Sequence, residues 1–301
     1  MSNRHQKLVK LAPWALLGVS ATWGLAFVVM KDPIAKQNVN SFLFTRFAVA
    51  VLAMIALKPS VLQRITPEII RKGLAAGVFL GTGYIFQTLG LAIAGAAITG
   101  FITGLYVVAT PLIAWAVLKQ KIDRYTWGCV ATATFGLALL SLHGWSIGSG
   151  EALVLISAIA FAAHIVALSK WSSGLDSYAM TVVQLTGCAI LTGTLAFIEG
   201  YELPAGRSGW PVVIFTAVFA TAIAFMVQTW SQAHISSTKV AVILTMEVVF
   251  AAIFAILFGG ETLTAQALLG GLLVLVAMFA IVKPREIGSD ATNLQENEKV
   301  G

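Results

Sequence analysis

Residues 11–30 read LAPWALLGVSATWGLAFVVM, a run without a single charged side chain. A helix rising 1.5 Å per residue needs about 20 such residues to cross a bilayer core about 30 Å thick. Arg4, Lys7 and Lys10 precede the run, as they would a secretory signal. It is too long for a signal's apolar region, however, and no small-x-small cleavage site comes before Lys31. The run is therefore expected to persist as a first membrane span.

Runs of the same kind recur along the chain and predict spans at 11–30, 41–57, 73–92, 97–118, 127–142, 150–169, 177–197, 210–233, 239–258 and 265–282. Turn-forming groups separate them: Lys31-Asp32-Pro33, Lys58-Pro59-Ser60, Gly148-Ser149-Gly150, Pro204-Ala205-Gly206 and Gly259-Gly260. Composition agrees. Of 301 residues, 58% are hydrophobic and only 11% charged, and mean hydropathy is +0.88. A water-facing domain carries roughly a quarter charged residues, so no separate soluble domain is expected. Cys129 and Cys188 both fall within apolar runs, at no spacing that suggests a disulfide or metal framework.

Lysine and arginine orient the spans, because they concentrate in cytoplasmic loops. With a cytoplasmic N-terminus, the outer face holds only Lys31, Lys36 and Arg207, while Arg46 lies inside the second span. All the others among the 19 fall on the cytoplasmic side. A missed or extra span would scramble this alternation, so both termini are expected inside. The positive balance marks a membrane face and calls for no nucleic-acid partner.

A shift of 141 positions lays Tyr84-Ile85-Phe86-Gln87-Thr88 over Phe225-Met226-Val227-Gln228-Thr229, and Tyr106-Val107-Val108 over Glu247-Val248-Val249. The chain then divides into two five-span repeats, 1–145 and 146–290, with a disordered tail at 291–301. An odd number of spans per repeat inverts the second copy in the membrane. The expected fold is thus an all-α membrane protein of ten transmembrane helices, built as two inverted five-helix repeats around a central cavity. Such symmetry supplies two pseudo-equivalent arrangements, the usual basis of alternating access.

Particular residues carry a family resemblance. Trp23-Gly24 with Phe27, Val28 and Lys31 resembles the opening segment of EamA-type exporters in the drug/metabolite transporter superfamily, and Phe44-Thr45-Arg46-Phe47 resembles their second-helix arginine. Ser237-Thr238-Lys239-Val240-Ala241, Glu247 and Gly260-Glu261-Thr262-Leu263-Thr264 resemble the signature of the second repeat. The resemblance runs from residue 11 to 283 and is greatest to the YddG-like amino-acid exporter branch. It implies a bacterial inner membrane and export of a small metabolite. The chain departs from the pattern at Val248, where the family often has proline, which predicts a straighter ninth helix. It departs again at Lys119-Gln120-Lys121, where a Gly-Glu pair would stand.

Polar groups inside a membrane are costly and usually face the bundle interior. Helical spacing groups Thr99, Thr103, Tyr106 and Thr110; Thr221, Phe225, Gln228 and Gln232; Ser157, Phe161, His164 and Leu168; and Ser20, Trp23 and Phe27. From these and their neighbours, Trp23, Tyr84, Gln87, Thr103, Tyr106, His164, Phe225, Gln228 and Glu247 are expected to bind substrate in one cavity. Aromatic walls with sparse polar groups suit a small zwitterion with an apolar side chain, such as an aromatic or large neutral amino acid. Plainer roles compete: Thr and Ser can bond their own helix, Gln87 and Gln228 can join helices, His164 can pack, and Trp23 can face lipid. Arg46, near the outer end of its span, is expected to snorkel or meet a carbonyl end. Gly73, Gly77, Gly81, Gly100 and Gly104 read as close helix packing. Glu247, eight residues beyond Lys239, sits near the midplane, where a carboxyl can bind an ammonium or exchange protons.

No G-x-x-x-x-G-K-[ST] phosphate loop is present, so a secondary exporter without a cofactor or metal is expected rather than an ATPase. An exporter of drugs or other metabolites is the alternative within the superfamily. An intramembrane enzyme is a further alternative, although Arg46, His164 and Glu247 stand singly on separate spans. The expected partners are a small-molecule substrate and the lipid bilayer, with the monomer sufficient. Single cysteines at positions 36 and 207 should react with an impermeant thiol reagent in intact cells, and those at 64 and 121 only after permeabilisation. Labelling of Arg64→Cys in intact cells would overturn the topology.

Overall fold

The computed structural model describes residues 3–118, 124–143, 146–171, 174–234 and 243–282. Lys119-Gln120-Lys121, Ser237–Ala241 and the 291–301 tail lie outside them, as do the side chains of Arg207 and Gln232. The helices are α1 (Asn3–Lys36), α2 (Val39–Leu57), α3 (Pro67–Ile93), α4 (Ala96–Thr103), α5 (Tyr106–Leu118), α6 (Arg124–Ser141) and α7 (Ser149–Trp171). They continue with α8 (Ser177–Glu199), α9 (Gly206–Ala217), α10 (Ala224–His234), α11 (Met246–Leu257) and α12 (Ala265–Val282). A 3₁₀ segment at Pro59–Arg64 leads into α3, and a π-helical segment at Val218–Ile223 joins α9 to α10. Leu142–His143 pairs antiparallel with Ser146–Ile147 as a minimal hairpin, and every other described element is helical.

Among the described residues, seven stretches are long and apolar enough to cross a membrane: Leu11–Lys36, Val39–Leu57, Pro67–Ile93, Ala96–Ile113, Ser149–Leu168, Ser177–Glu199 and Gly209–Ser231. Met246–Leu257 and Ala265–Ala277 are apolar but shorter. The outward surface is greasy, with Ile198 exposed to 76% and Phe258 to 68%. In water such a face would drive aggregation, whereas in lipid it is the matching solvent.

Three boundaries differ from the sequence expectation. Helix α1 runs through Pro33 to Lys36, past the expected stop at residue 30. A proline removes one backbone bond without forbidding a further turn, and here an Asp32–Lys36 ion pair of 2.6 Å spans that turn. The expected span 97–118 is interrupted at Gly104-Leu105, which divide α4 from α5. The ninth span turns at Thr245, just before α11, although Val248 replaces the family's proline.

Helices from before residue 145 pack mainly on helices from beyond it: α3 on α7 and α8, α2 on α8, α1 on α11, and α6 on α12. Lipid tails are as apolar as leucine, so this association rests on close van der Waals contact rather than on hydrophobic burial. The glycines supply the closeness. A Cβ on Gly73 would meet Val183 at 2.7 Å, and one on Gly81 would meet the Cα of Cys188 at 3.4 Å. A Cβ on Gly77 would strike the Gln184 carbonyl oxygen and lie 2.9 Å from the Gly187 Cα.

Polar ties close both ends. On one side Glu261 accepts from the N–H groups of Ala96 (2.6 Å) and Ala97 (3.2 Å), satisfying two amides at the start of α4. Lys31 donates to the Ala94 carbonyl at 3.1 Å and approaches Glu261 at 3.8 Å. On the other side Arg64 donates to Asp176 at 2.9 Å. Asp176 also caps α8 through the N–H groups of Tyr178 and Ala179. Burial pushes the Asp176 carboxyl up, but its bonds to Ala179, Arg64 and Tyr178 outweigh that and hold it below the usual range.

The contact between α3 and α8 leaves no room for a methyl group. Gly77→Ala should lower the melting temperature of the purified protein, at a cost of about 1–3 kcal/mol for overpacking. Gly18, whose Cβ would meet nothing within 4 Å, should tolerate alanine unchanged. Equal melting temperatures for the two variants would refute the tight contact.

Candidate functional site

Where α1, α2, α3, α7, α10 and α11 converge with the α4–α5 break, the bundle holds a cavity of about 60 Å³. Its walls are Trp23, Ala26, Phe27 and Met30 of α1, Arg46 of α2, and Leu80, Tyr84 and Gln87 of α3. Thr103 and Tyr106 flank the break between α4 and α5, and Phe161, His164 and Ile165 come from α7. Phe225 and Gln228 of α10, with Leu244 and Glu247 on either side of the Thr245 turn, complete the lining. All nine residues singled out from sequence thus face one space.

The walls are aromatic. Tyr84 meets Phe47, Phe161 and Phe225 edge to face, at centroid separations of 5.2, 5.4 and 6.1 Å. Phe225 also packs on Trp23 at 5.5 Å and on His164 at 6.3 Å. Such pairs favour tilted geometry because each ring is negative on its face and positive at its edge.

The polar groups fall into two sets. Several are satisfied inside the protein: Gln87 Nε2 donates to Thr103 Oγ1 at 3.1 Å, and His164 Nε2 lies 2.8 Å from Gln184 Oε1. An amide oxygen only accepts, so the His164 Nε2–H is the donor. Trp23 Nε1 donates to the Ala220 carbonyl at 2.8 Å. Others are buried without a partner among the described residues: the Tyr106 hydroxyl and Gln228 Oε1 have none there. Among the described residues no hydrogen bond or ion pair engages Glu247, which is 6% exposed. Such orphans are costly in a structure and are usual where a ligand supplies the missing bonds.

Much of the expected threonine and serine stripe points elsewhere. Thr99 bonds the Gly95 carbonyl, Thr110 that of Tyr106 and Ser157 that of Val154, each back onto its own chain segment. Ser20 does the same to Leu16 and also reaches the Ile243 carbonyl at 3.0 Å. Only Thr103 of the hydroxyl stripes both lines the cavity and accepts from another helix.

Arg46 is the cavity residue that sequence reasoning misplaced. It does not snorkel: only 1% of its surface is exposed. It does meet a carbonyl, that of Ala220 at 3.3 Å, but deep in the bundle rather than at a helix end. Its signal was present in the sequence, since an ionisable residue inside a span marks a functional site by default.

A bundle of apolar helices around an aromatic cavity with unmatched polar groups defines a multi-pass membrane transporter. The chain belongs to the EamA-like transporter family, whose model matches twice, over residues 10–142 and 148–283. It is 31% identical over 264 residues to an uncharacterized transporter of Archaeoglobus fulgidus, covering 87% of this chain and 83% of that one. A second uncharacterized transporter of the same organism is 22% identical over 281 residues, covering 90% and 99%. A protein of known crystal structure shares the fold at 18% identity, with a TM-score of 0.60 over 97% of this chain and 99% of that one.

The two glutamines should now behave differently. Gln228→Ala removes an unpartnered group, so transport should weaken about five- to tenfold, as for one neutral hydrogen bond, with the melting temperature unchanged. Gln87→Ala also strands the Thr103 hydroxyl, so both transport and melting temperature should fall. Wild-type transport by Gln228→Ala would remove it from the site.

Proposed function

We propose that the chain is a secondary transporter that exports aromatic or large neutral amino acids by alternating access, in the manner of the YddG-like branch. In this reading it is a ten-helix monomer of the bacterial inner membrane with both termini in the cytoplasm. It comprises two inverted five-helix repeats, 1–145 and 146–290, and substrate occupies the cavity between them. Trp23, Tyr84, Phe161 and Phe225 receive the apolar side chain, and Glu247, Tyr106 and Gln228 meet its polar end.

One observation carries this reading. Residues chosen from both halves of the sequence converge on one cavity, and its single carboxyl group, Glu247, is left without a partner. The helix interruptions add support: Gly104 and Thr245 stand 141 positions apart, the same shift that aligns Tyr84 with Phe225 and Tyr106 with Glu247. Non-helical backbone at membrane depth is tolerated where it lines a cavity, and discontinuous helices are how such transporters build their sites. The twofold match of the family model and the packing of α1, α2, α3 and α6 onto later helices fit two halves closed against each other.

Counterflow in proteoliposomes tests the substrate class. Protein preloaded with phenylalanine should accelerate uptake of labelled phenylalanine, tryptophan and leucine, but not of nucleosides or cationic drugs. Preference for either of the latter would replace the amino-acid reading with the broader drug or metabolite one. Glu247→Gln keeps shape and hydrogen bonding but cannot ionise, so it should still bind substrate while losing the pH dependence of transport. A wild-type rate and pH profile in Glu247→Gln would withdraw the role of that carboxyl.

A further inference from the structure

Among the described residues the buried guanidinium of Arg46 contacts only neutral groups. Its Nε donates to Thr221 Oγ1 at 2.7 Å, and its Nη2 to the Ala220 carbonyl at 3.3 Å and to the Tyr84 hydroxyl at 3.5 Å. Nη1 reaches Met30 Sδ at 3.3 Å, and the guanidinium carbon stands over the Tyr84 and Phe47 rings at 4.7 and 5.9 Å. No carboxylate lies within ion-pair distance of it among the described residues.

The surroundings fix the cation without neutralising it. In the π turn Val218–Ile223, the Ala224 N–H bonds the carbonyls of Phe219 and Thr221 and not that of Ala220, the residue four back. The Ala220 oxygen is thereby open to side chains, and it takes both Trp23 Nε1 and Arg46 Nη2. Two neighbouring aromatic rings, Tyr84 and Phe47, attract the cation through their negative quadrupole. A guanidinium carries five N–H donors. Among the described residues one Nη1 hydrogen has no acceptor, and its neighbour meets only a thioether, a weak one. The strong acceptors thus secure Nε and Nη2, and the Nη1 edge beside Met30, itself a cavity residue, is the one a stronger acceptor would take.

A buried charge left unpaired is destabilising by several kcal/mol unless something compensates it. Glu247 is the obvious internal counter-ion, because it lines the same cavity, yet the two do not pair. Tyr84 lies within electrostatic range of both. The cavity therefore presents one unmatched cation on the α2 and π-turn side and one unmatched carboxyl on the α11 side.

We propose that Arg46 is a substrate-binding residue that takes the carboxylate of the transported molecule on its Nη1 edge, displacing the Met30 sulfur. The substrate class is then an α-amino acid whose polar end has its carboxylate on Arg46 and its ammonium toward Glu247, a refinement that rests on the transporter reading above. The bond is charge-assisted and buried, so its loss should weaken binding about 10- to 100-fold.

The test compares phenylalanine, phenylalaninamide and 3-phenylpropionate by calorimetric binding to the full chain in lipid nanodiscs. Wild-type protein should bind phenylalanine at least about tenfold more tightly than the amide, a comparison that needs no variant and survives any folding defect. Arg46→Gln should abolish the preference for phenylalanine over the amide, so that the two bind alike. Arg46→Lys, which keeps charge but not the fork, should fall between. Equal affinity of wild type for acid and amide, or equal weakening of both by Arg46→Gln, would show that Arg46 only holds the π turn. Tight 3-phenylpropionate with no phenylalanine binding would keep Arg46 and remove the amino-acid reading. Binding of neither carboxylate would overturn the assignment.

Discussion

The Ala220 carbonyl holds the cavity together. Inside a bilayer every backbone N–H and C=O must find its partner within the protein, because no water is there to serve. The π turn at Val218–Ile223 turns that obligation to use, since it leaves Ala220 to be satisfied by Trp23 from α1 and Arg46 from α2. Two consecutive helices and a turn 174 residues beyond Arg46 are thereby fixed around one oxygen. Tyr84 from α3 leans on the same guanidinium, so the orientation of the aromatic wall depends on it as well. A regular α-turn at this place would consume the carbonyl internally and leave both donors stranded.

Around that pin the bundle combines two kinds of contact with different mechanical character. Along α3 and α8 the glycine contacts leave no slack, so the helices must move as a unit if they move at all. At Gly104-Leu105 and Thr245 the chain instead departs from helix beside the cavity, and the neighbouring Thr103, Tyr106 and Glu247 side chains face into it. Close packing along α3 and α8 thus stands beside irregular backbone at the cavity. That distribution suits a protein that must hold its shape in lipid and still respond to a small molecule inside.

The apolar spans were legible because bilayer thickness imposes a length that few other constraints mimic. The cavity residues were legible because α-helical spacing and the 141-residue shift pointed to the same positions, among them Tyr84, Gln87, Phe225 and Gln228. The stops were less so. Pro33 reads as an ending, yet α1 continues past it, while no proline announces the breaks at Gly104-Leu105 and Thr245. The threonine stripe over-reported the site, because a hydroxyl's bond to its own helix, as at Thr99 and Thr110, leaves no trace in spacing. Arg46 was misplaced for a different reason. Its acceptors lie some 175 residues away on a π turn, and local sequence has no means of foretelling that turn.

Glu261 has a bearing on hydration. Its carboxylate serves the first two amides of α4 from the segment that precedes α12. Any displacement that parts these segments uncovers both N–H groups together, and at the edge of a membrane the replacement acceptor is water. Such a step takes up solvent molecules as part of its stoichiometry, so its equilibrium depends on water activity as well as on any ligand. Osmotic stress would then shift the molecule toward the closed arrangement at this end, and the size of the shift would count the waters taken up when it opens.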